Sequence, residues 1–283
     1  MKKRWYLLAM LMLGVGGLLC PGCSEDGPGE EEEGKKEQSD VVKKLTLSNY
    51  DSEEKNEITV ARANGLITGI TWKVSPLGGD DGWEPYTVEF AVATAGGKAD
   101  VTFKDEEGTQ YSVAYTLDAK GIATSASVVI KGMEDRAMTW TFANNSLHGM
   151  LERLTRTIPG QGSDEVFEAV CDKEGNWNRV MDFLCELSDV RNTASVNLNL
   201  VGTGLVDIEN PVLSVAVLCG WVRANPLLVS SITGEDENDE GEPIQVTFKF
   251  TPQKTAGKIS SLGVKILQGD APEMDYISAT LEY

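Results

Sequence analysis

The sequence predicts a mainly β fold: an antiparallel up-and-down meander that forms an open or closed β-barrel, with one or two short helices. Two observations support this prediction. Apolar and polar residues alternate in many short segments, which places each apolar set on one face of a strand. Turn signals rich in Gly and Asn separate these segments at regular intervals, and consecutive strands joined in this way form a meander that tends to curl into a barrel.

The alternating segments recur along most of the chain after residue 41. Clear sets are Val88, Phe90 and Val92; Tyr111, Val113, Tyr115 and Leu117; Met138, Trp140 and Phe142; Val196, Leu198 and Leu200; and Ile244, Val246, Phe248 and Phe250. The turn signals include Asn64-Gly65, Gly96-Gly97, Lys120-Gly121 and Glu174-Gly175. Gly and Asn tolerate the positive φ that tight hairpin turns need, so each signal is read as the link between two strands.

Two regions depart from simple alternation. Residues 177–187 carry apolar side chains at spacings of three and four, which predicts a hairpin passing into a short helix. Residues 211–221 are almost continuously apolar, and this pattern fits a buried strand or a short core helix equally well. The acidic segment 234–241 is expected to be a solvated, mobile loop. Calcium binding is not expected there, because its spacing does not match an EF-hand loop.

The first residues have the features of an export signal. Lys2, Lys3 and Arg4 precede an uncharged apolar run that is too short to cross a membrane as a helix. The sequence around Cys23 resembles the lipobox of bacterial lipoproteins, in which a small residue precedes the lipidated cysteine. Gly22 meets this requirement for Cys23, whereas Leu19 does not meet it for the runner-up, Cys20. We therefore expect acylation at Cys23.

This interpretation divides the chain into three parts. Residues 1–22 are the signal peptide, 23–40 are a disordered acidic tether, and 41–283 are a single β-rich domain. The tether is predicted from like charge and the lack of apolar residues to bury, as in Glu30 to Glu33. An acidic run after the lipidated cysteine also resembles the surface-export signal of Bacteroidota lipoproteins. It implies attachment to the outer membrane on the cell surface, with the periplasmic face as the alternative.

The charge balance excludes one class of partner. Residues 1–22 hold three basic residues and no acidic ones, so the mature chain has 22 Lys and Arg against 44 Asp and Glu, a net charge of −22. Such a field repels phosphate backbones, so nucleic acid is not expected to bind. It also repels anionic membrane surfaces, and the acyl chains must then supply the anchoring. The oligomeric state cannot be read from the sequence.

The remaining cysteines do not form an evident site. The mature chain keeps Cys171, Cys185 and Cys219 besides Cys23, and an odd number cannot all pair internally. We expect buried free thiols that behave as small apolar residues. A zinc site would need a close cysteine pair or several histidines, and neither is present. No metal and no cofactor is predicted.

A family resemblance covers roughly residues 45–283. The segments that carry it are YSVAYTLDAKGIATSASVVIKGMEDRAMTWTFANNSLHGMLERL (111–154), FEAVCDKEGNWNRV (167–180) and LSVAVLCGWVRANPLLVSS (213–231). They resemble an uncharacterised family of Bacteroidota lipoproteins, a domain of unknown function with a porin-like fold. This chain departs from that pattern in having fewer tyrosines and Cys171 in place of an aromatic residue. The resemblance implies a porin-like barrel and no catalytic residues.

The favoured function is a non-enzymatic binding or structural module in nutrient capture or adhesion, with a glycan or peptide as the possible ligand. Trp83 is the candidate contact residue, because it lies in the Gly- and Asp-rich loop 78–85, where it has no core to fill. No catalytic residues are predicted.

Two alternatives remain open at this stage. A hydrolase of the Ser-His-Asp or Cys-His kind would depend on His148, the only histidine, and a carboxylate-dependent, glycosidase-like hydrolase could use acids that sequence does not single out. An outer-membrane β-barrel is suggested by the alternating C-terminus that ends in Leu281 and Tyr283. The polar strands argue against this alternative, because a spanning barrel needs outward apolar bands flanked by aromatic residues.

Overall fold

The computed structural model describes residues 41–78, 84–237 and 242–283. The predicted signal peptide and tether, with Cys20 and Cys23, lie outside these residues, as does Trp83. The described residues form one closed barrel of 16 antiparallel strands, in which each strand pairs with its neighbours in sequence and β1 pairs with β16. The predicted meander and barrel are therefore confirmed, and the barrel closes.

The strands follow one another along the chain with short connections. Their bounds are β1 Lys44–Asn49, β2 Glu54–Ala63, β3 Leu66–Pro76, β4 Tyr86–Ala95, β5 Lys98–Lys104, β6 Gln110–Leu117, β7 Ala123–Ile130, β8 Met138–Asn144, β9 Leu151–Ile158, β10 Gly162–Cys171, β11 Trp177–Val180, β12 Phe183–Arg191, β13 Leu227–Glu237, β14 Pro243–Thr255, β15 Lys258–Gln268 and β16 Met274–Glu282. The helices are α1 Leu198–Gly202 and α2 Pro211–Leu218, and Glu134–Arg136 forms one 3-10 turn.

The wall of the barrel has an apolar inner face and a polar outer face. In β5, for example, Ala99, Val101 and Phe103 are buried, while the residues between them are charged or polar and exposed. The same alternation runs through β3, β4 and β8. The period-two pattern of the sequence thus sorts apolar side chains to the inside, the reverse of a barrel that faces lipid.

The interior of the barrel is filled by the connection between β12 and β13, residues 192–226, which we call the plug. It contacts opposite walls: the Tyr115 hydroxyl on β6 donates to the Val212 carbonyl at 2.8 Å, and Phe250 on β14 packs against Gly202. Every residue of α1 is buried, as are Val212 to Leu218 in α2. A helix that is apolar all round needs a buried environment on all sides, and the barrel interior supplies it.

The plug corrects two expectations. Val196, Leu198 and Leu200 do not lie on a strand; Leu198 and Leu200 belong to α1. Their alternation had no directional meaning, because nearly every residue between 194 and 203 is buried whichever way it points. The ambiguous stretch 211–221 contains helix α2, which begins with Pro211 at its first turn.

Two further expectations are wrong in part. Residues 177–187 form a hairpin of β11 and β12 and no helix, because strand pairing places Trp177 and Val180 on the inner face at an irregular spacing that resembles a helical one. The acidic segment 234–241 is not wholly a loop. Residues 234–237 continue β13 and pair with β14, and residues 238–241 lie outside the described residues. No helix in the described part of the chain is long and apolar enough to cross a membrane.

Candidate functional site

The two ends of the barrel differ in what they hold. One end carries the start of β1, the end of β16 and the points where the plug enters and leaves; we call it the terminal end. Its turns are 64–65, 96–97, 118–122, 145–150, 172–176 and 256–257. The opposite end, called the loop end, carries the connections 50–53, 105–109, 131–137, 159–161, 181–182 and 269–273, together with the described residues 77–78, 84–85 and 242. The middle of the plug, residues 203–210, reaches the loop end, where Gly204 lies against Tyr276.

The loop end is strongly acidic. The described acidic residues of its connections and of the middle of the plug are Asp51, Glu53, Glu84, Asp105, Glu106, Glu107, Glu134, Asp135, Asp182, Asp207, Glu209, Glu242, Asp270 and Glu273. The basic residues in the same described segments are Lys131 and Arg136. The negative charge of these carboxylates also affects the pKa of a neighbouring tyrosine. Burial, followed by the charges of Glu106, Glu54, Asp207 and Glu209, raises the pKa of Tyr86 to about 12.

The terminal end is balanced or slightly basic. Its turns and chain ends carry the acids Asp118, Asp172 and Glu174 and the bases Lys43, Lys120, Lys173 and Arg223. The adjoining strand ends add the bases Arg62, Lys98, Lys254 and Lys258 against the acids Glu152 and Glu282. Among the described residues, the excess of acids is thus concentrated away from this end.

A network of buried amides fastens the plug at the terminal end. The Asn199 carboxamide donates to the Leu227 carbonyl and accepts from the Val229 N–H, both at 3.1 Å, so it pairs with β13 as a neighbouring strand would. The side-chain amide of Asn225 donates to the Gly175 carbonyl, and the Asn176 side chain accepts from the Leu227 N–H. Each of these asparagines is buried, so its hydrogen bonds compensate the cost of leaving water.

The candidate residues from sequence do not converge on one site. Trp83 lies outside the described residues, and the strands before and after it, β3 and β4, end and begin at the loop end. His148 lies at the terminal end, where its Nε2 is 2.6 Å from the Lys173 carbonyl and links two turns. The described residues contain no group of three His, Cys, Asp or Glu that could hold a metal ion.

The three cysteines of the described chain are free thiols, as expected, but each is half-buried and not fully buried. Burial raises the pKa of Cys171 to about 11 and those of Cys185 and Cys219 to about 12. Thiolate, rather than thiol, is the reactive form, so these side chains are poor nucleophiles at neutral pH.

The interior leaves little space for a ligand. Two internal cavities, each of about 10 Å³, lie between the plug and the wall, one beside Phe183 and Phe248 and the other beside Asn56 and Asp207. Each has room for about one water molecule. Neither of these two cavities has room for a larger ligand.

Solved structures share this fold. The chain is similar to a porin-like protein from Bacteroides uniformis with a TM-score of 0.60 and 18% identity, over 85% of this chain and 98% of that one. It is also similar to a porin-like protein from Bacteroides vulgatus with a TM-score of 0.50 and 12% identity, over 86% of this chain and 99% of that one. No family model and no curated protein matches the sequence. These likenesses show the fold alone, and membership of a lipoprotein family stays a prediction.

The plug is the feature that sequence reasoning missed. Its signals were present: the apolar run 211–221 lies between Asn210-Pro211 and Asn225-Pro226, and buried asparagines recur on both sides of it. A long apolar connection between two strands of a meander indicates a segment that folds into the barrel.

Proposed function

We propose that the chain is a non-enzymatic lipoprotein, anchored to the outer membrane through acylated Cys23 and exposed at the cell surface. It serves as a ligand-binding or structural module in nutrient capture or adhesion. The observation that carries this proposal is the apolar plug, because a barrel whose interior is packed with helices α1 and α2 has no channel for solute. Its binding or structural function must therefore lie at its outer surfaces.

The polar outer wall supports a barrel held outside the bilayer. Lys98, Asp100 and Thr102 on β5 face outwards, as do Thr139 and Thr141 on β8. A wall of this kind lacks the lipid-facing apolar band of a spanning barrel. The sequence around Cys23 supplies an anchor that such a barrel needs, and dual acylation is strong enough to hold it stably.

The anchor is tested by comparing Cys23→Ala with Cys20→Ala. We expect Cys23→Ala to lose acylation in the mass spectrum and to leave the membrane fraction, while Cys20→Ala keeps both. Protease treatment of intact cells then separates the cell surface from the periplasmic face. Cys23→Ala protein that stayed integral in the membrane after alkaline extraction would overturn the anchored-barrel proposal.

Ligand binding is proposed at the loop end, where β3 ends and β4 begins on either side of residues 79–83. A glycan and peptide binding screen on the mature protein provides the test. We expect Trp83→Ala to lose at least tenfold in affinity for any selected ligand, since truncating a tryptophan that anchors a ligand costs about 2 kcal/mol or more. Trp83→Phe should keep most of the binding, and Leu66→Ala at the terminal end should leave it unchanged. Equal loss in Trp83→Ala and Leu66→Ala would contradict a site at the loop end.

A further inference from the structure

We propose that the terminal end of the barrel rests on an anionic lipid surface, with Leu66 and Leu147 at the headgroups and the acidic loop end turned away. This inference depends on the lipid anchor of the proposed function for its setting. It adds an orientation and a contact surface, which the anchor alone does not determine.

The tether does not fix the orientation by its length. Residues 24–40 connect Cys23 to Val41 at the terminal end. A chain of this length can extend to at most about 60 Å, and a ten-residue strand such as β2 is about 33 Å long. The barrel could therefore stand upright, lie on its side or tip over, so another force must select among these arrangements.

The distribution of charge selects the upright arrangement. Charges are screened over about 10 Å at ordinary ionic strength, so an anionic surface responds to the end that faces it and not to the net charge of the molecule. The loop end brings its carboxylates, such as Glu106 and Glu107, with few compensating cations. The terminal end brings Lys120 in a turn and Lys98 and Lys254 at strand ends beside two other turns, where each can reach a headgroup phosphate.

Two exposed leucines extend this end towards the surface. Leu147 is 74% exposed, more than any other large apolar side chain that the structure describes, and Leu66 is 54% exposed at the β2–β3 turn. The loop of Leu147 is held in place, since the Asn145 side chain accepts from the N–H groups of Leu147 and His148. Exposed leucines at the same end of the barrel as lysines are suited to the boundary between headgroups and acyl chains.

The acidic run at Glu30 to Glu33 opposes this attraction, because it lies next to the acylated cysteine in the sequence. The contact should consequently depend on lipid charge and on salt. That dependence distinguishes docking by the terminal end from simple suspension on the anchor.

Lysine acetylation on vesicles tests the proposal with the native mature protein. Lys98 and Lys104 form a matched pair, since both are exposed and they lie at opposite ends of the same strand, β5. On phosphatidylglycerol vesicles we expect acetylation of Lys98 and Lys120 to fall at least threefold, while Lys104 and Lys131 keep the rates seen in solution. On phosphatidylcholine vesicles, or at 1 M salt, the protection should disappear.

A pair of variants checks the apolar contact. Leu147→Asp should reduce the protection of Lys98 and Lys120, whereas Leu184→Asp, at an exposed leucine of the outer wall, should not. Equal acetylation of Lys98 and Lys104 on anionic vesicles would overturn the proposal. A mass spectrum of the mature protein, taken first, keeps the two proposals separate. Missing acylation counts against the anchor, while flotation of that unacylated protein with anionic vesicles still tests the docking surface.

Discussion

The wall of the barrel is regular between β2 and β3 and irregular between β11 and β12. The strands β2 and β3 pair continuously from Glu54 with Pro76 to Ala63 with Leu66, with a single shift of register. The strands β11 and β12 pair only at Arg179 with Leu184 and at Val180 with Phe183. One sector is held together by backbone hydrogen bonds along its whole length, and the other by very few.

The irregular sector continues from β12 into β13, and the plug explains the irregularity there. The chain must leave the wall after Arg191, cross the interior and return at Leu227, so β12 and β13 cannot keep a continuous ladder near the terminal end. Their register shifts twice between Glu186 and Arg191. Side chains replace the missing ladder: Asn176 and Asn199 bond the backbone of β13 directly. The barrel thus closes at this sector with the help of amide side chains, and that of Asn199 is in place only when the plug is packed.

This contrast predicts where stability is concentrated, and the largest effect is expected at Asn199. Asn199→Ala removes the side-chain partner of the part-buried Leu227 carbonyl and of the buried Val229 N–H, at about 1–3 kcal/mol for each group. We expect the free energy of unfolding to fall by roughly 3 kcal/mol, measured by urea denaturation. Asn178→Ala, at an exposed position on the neighbouring β11, is the control and should change stability by no more than about 0.5 kcal/mol. Similar losses in both variants would show that the amide network does not close the wall.

The regular sector should respond less to the loss of a buried amide. Asn56 on β2 is buried and accepts a hydrogen bond from Trp72 Nε1 at 2.7 Å, while the surrounding ladder is intact. Asn56→Ala leaves one indole N–H unpaired, so we expect a loss of about 2 kcal/mol. Thr59→Ala, exposed on the same strand, is the matched control. A larger loss at Asn56 than at Asn199 would reverse the comparison between the two sectors.

The sequence predicts the regular sector far better than the irregular one. In β4 or β8, one face is buried and the other is exposed, so the period of two in Phe90 or Trp140 reports the fold directly. In the plug, side chains are buried whichever way they point, so the same period of two at Leu198 and Leu200 does not indicate a strand. The inside of the barrel is apolar for wall and plug alike, and hydrophobicity alone does not distinguish a residue on the wall from one in the plug.

The candidate sites were predictable only in part. The acidic character was evident from composition. Its concentration at one end was not, because successive turns of a meander lie at opposite ends of the barrel, and assigning a turn to an end requires the exact number of strands before it. The short strand β11 and the helix α1 both alter that count, and neither has a clear signal in the sequence. Cys23 and Trp83 stay predictions, since both lie outside the described residues.

The pH dependence of stability gives a smaller effect, one that reports on the plug. Burial raises the pKa of Cys219, directly after α2, from 9.0 to about 12. The unfolded thiol therefore ionises first, so this contribution to stability is complete below about pH 9 and is lost as pH rises towards 12. Between pH 8 and pH 10 we expect Cys219→Ala to lose about 1 kcal/mol less than the unmodified chain, measured by urea midpoints at both pH values. An equal loss in both proteins would mean that water reaches this part of the plug.

The smallest effect is expected on the outside of the irregular sector. Leu184 on β12 is 67% exposed, and replacing an exposed apolar residue by serine changes stability by no more than about 0.5 kcal/mol. Leu228→Ser, at a buried leucine on the adjacent β13, is the matched comparison and should lose at least about 2 kcal/mol. Urea denaturation of both variants tests the assignment. A loss above about 1 kcal/mol at Leu184 would mean that its side chain is covered in the folded protein in solution. The outer face of β12 would then be an interface, and the irregular sector would be stabilised from outside as well as by the plug.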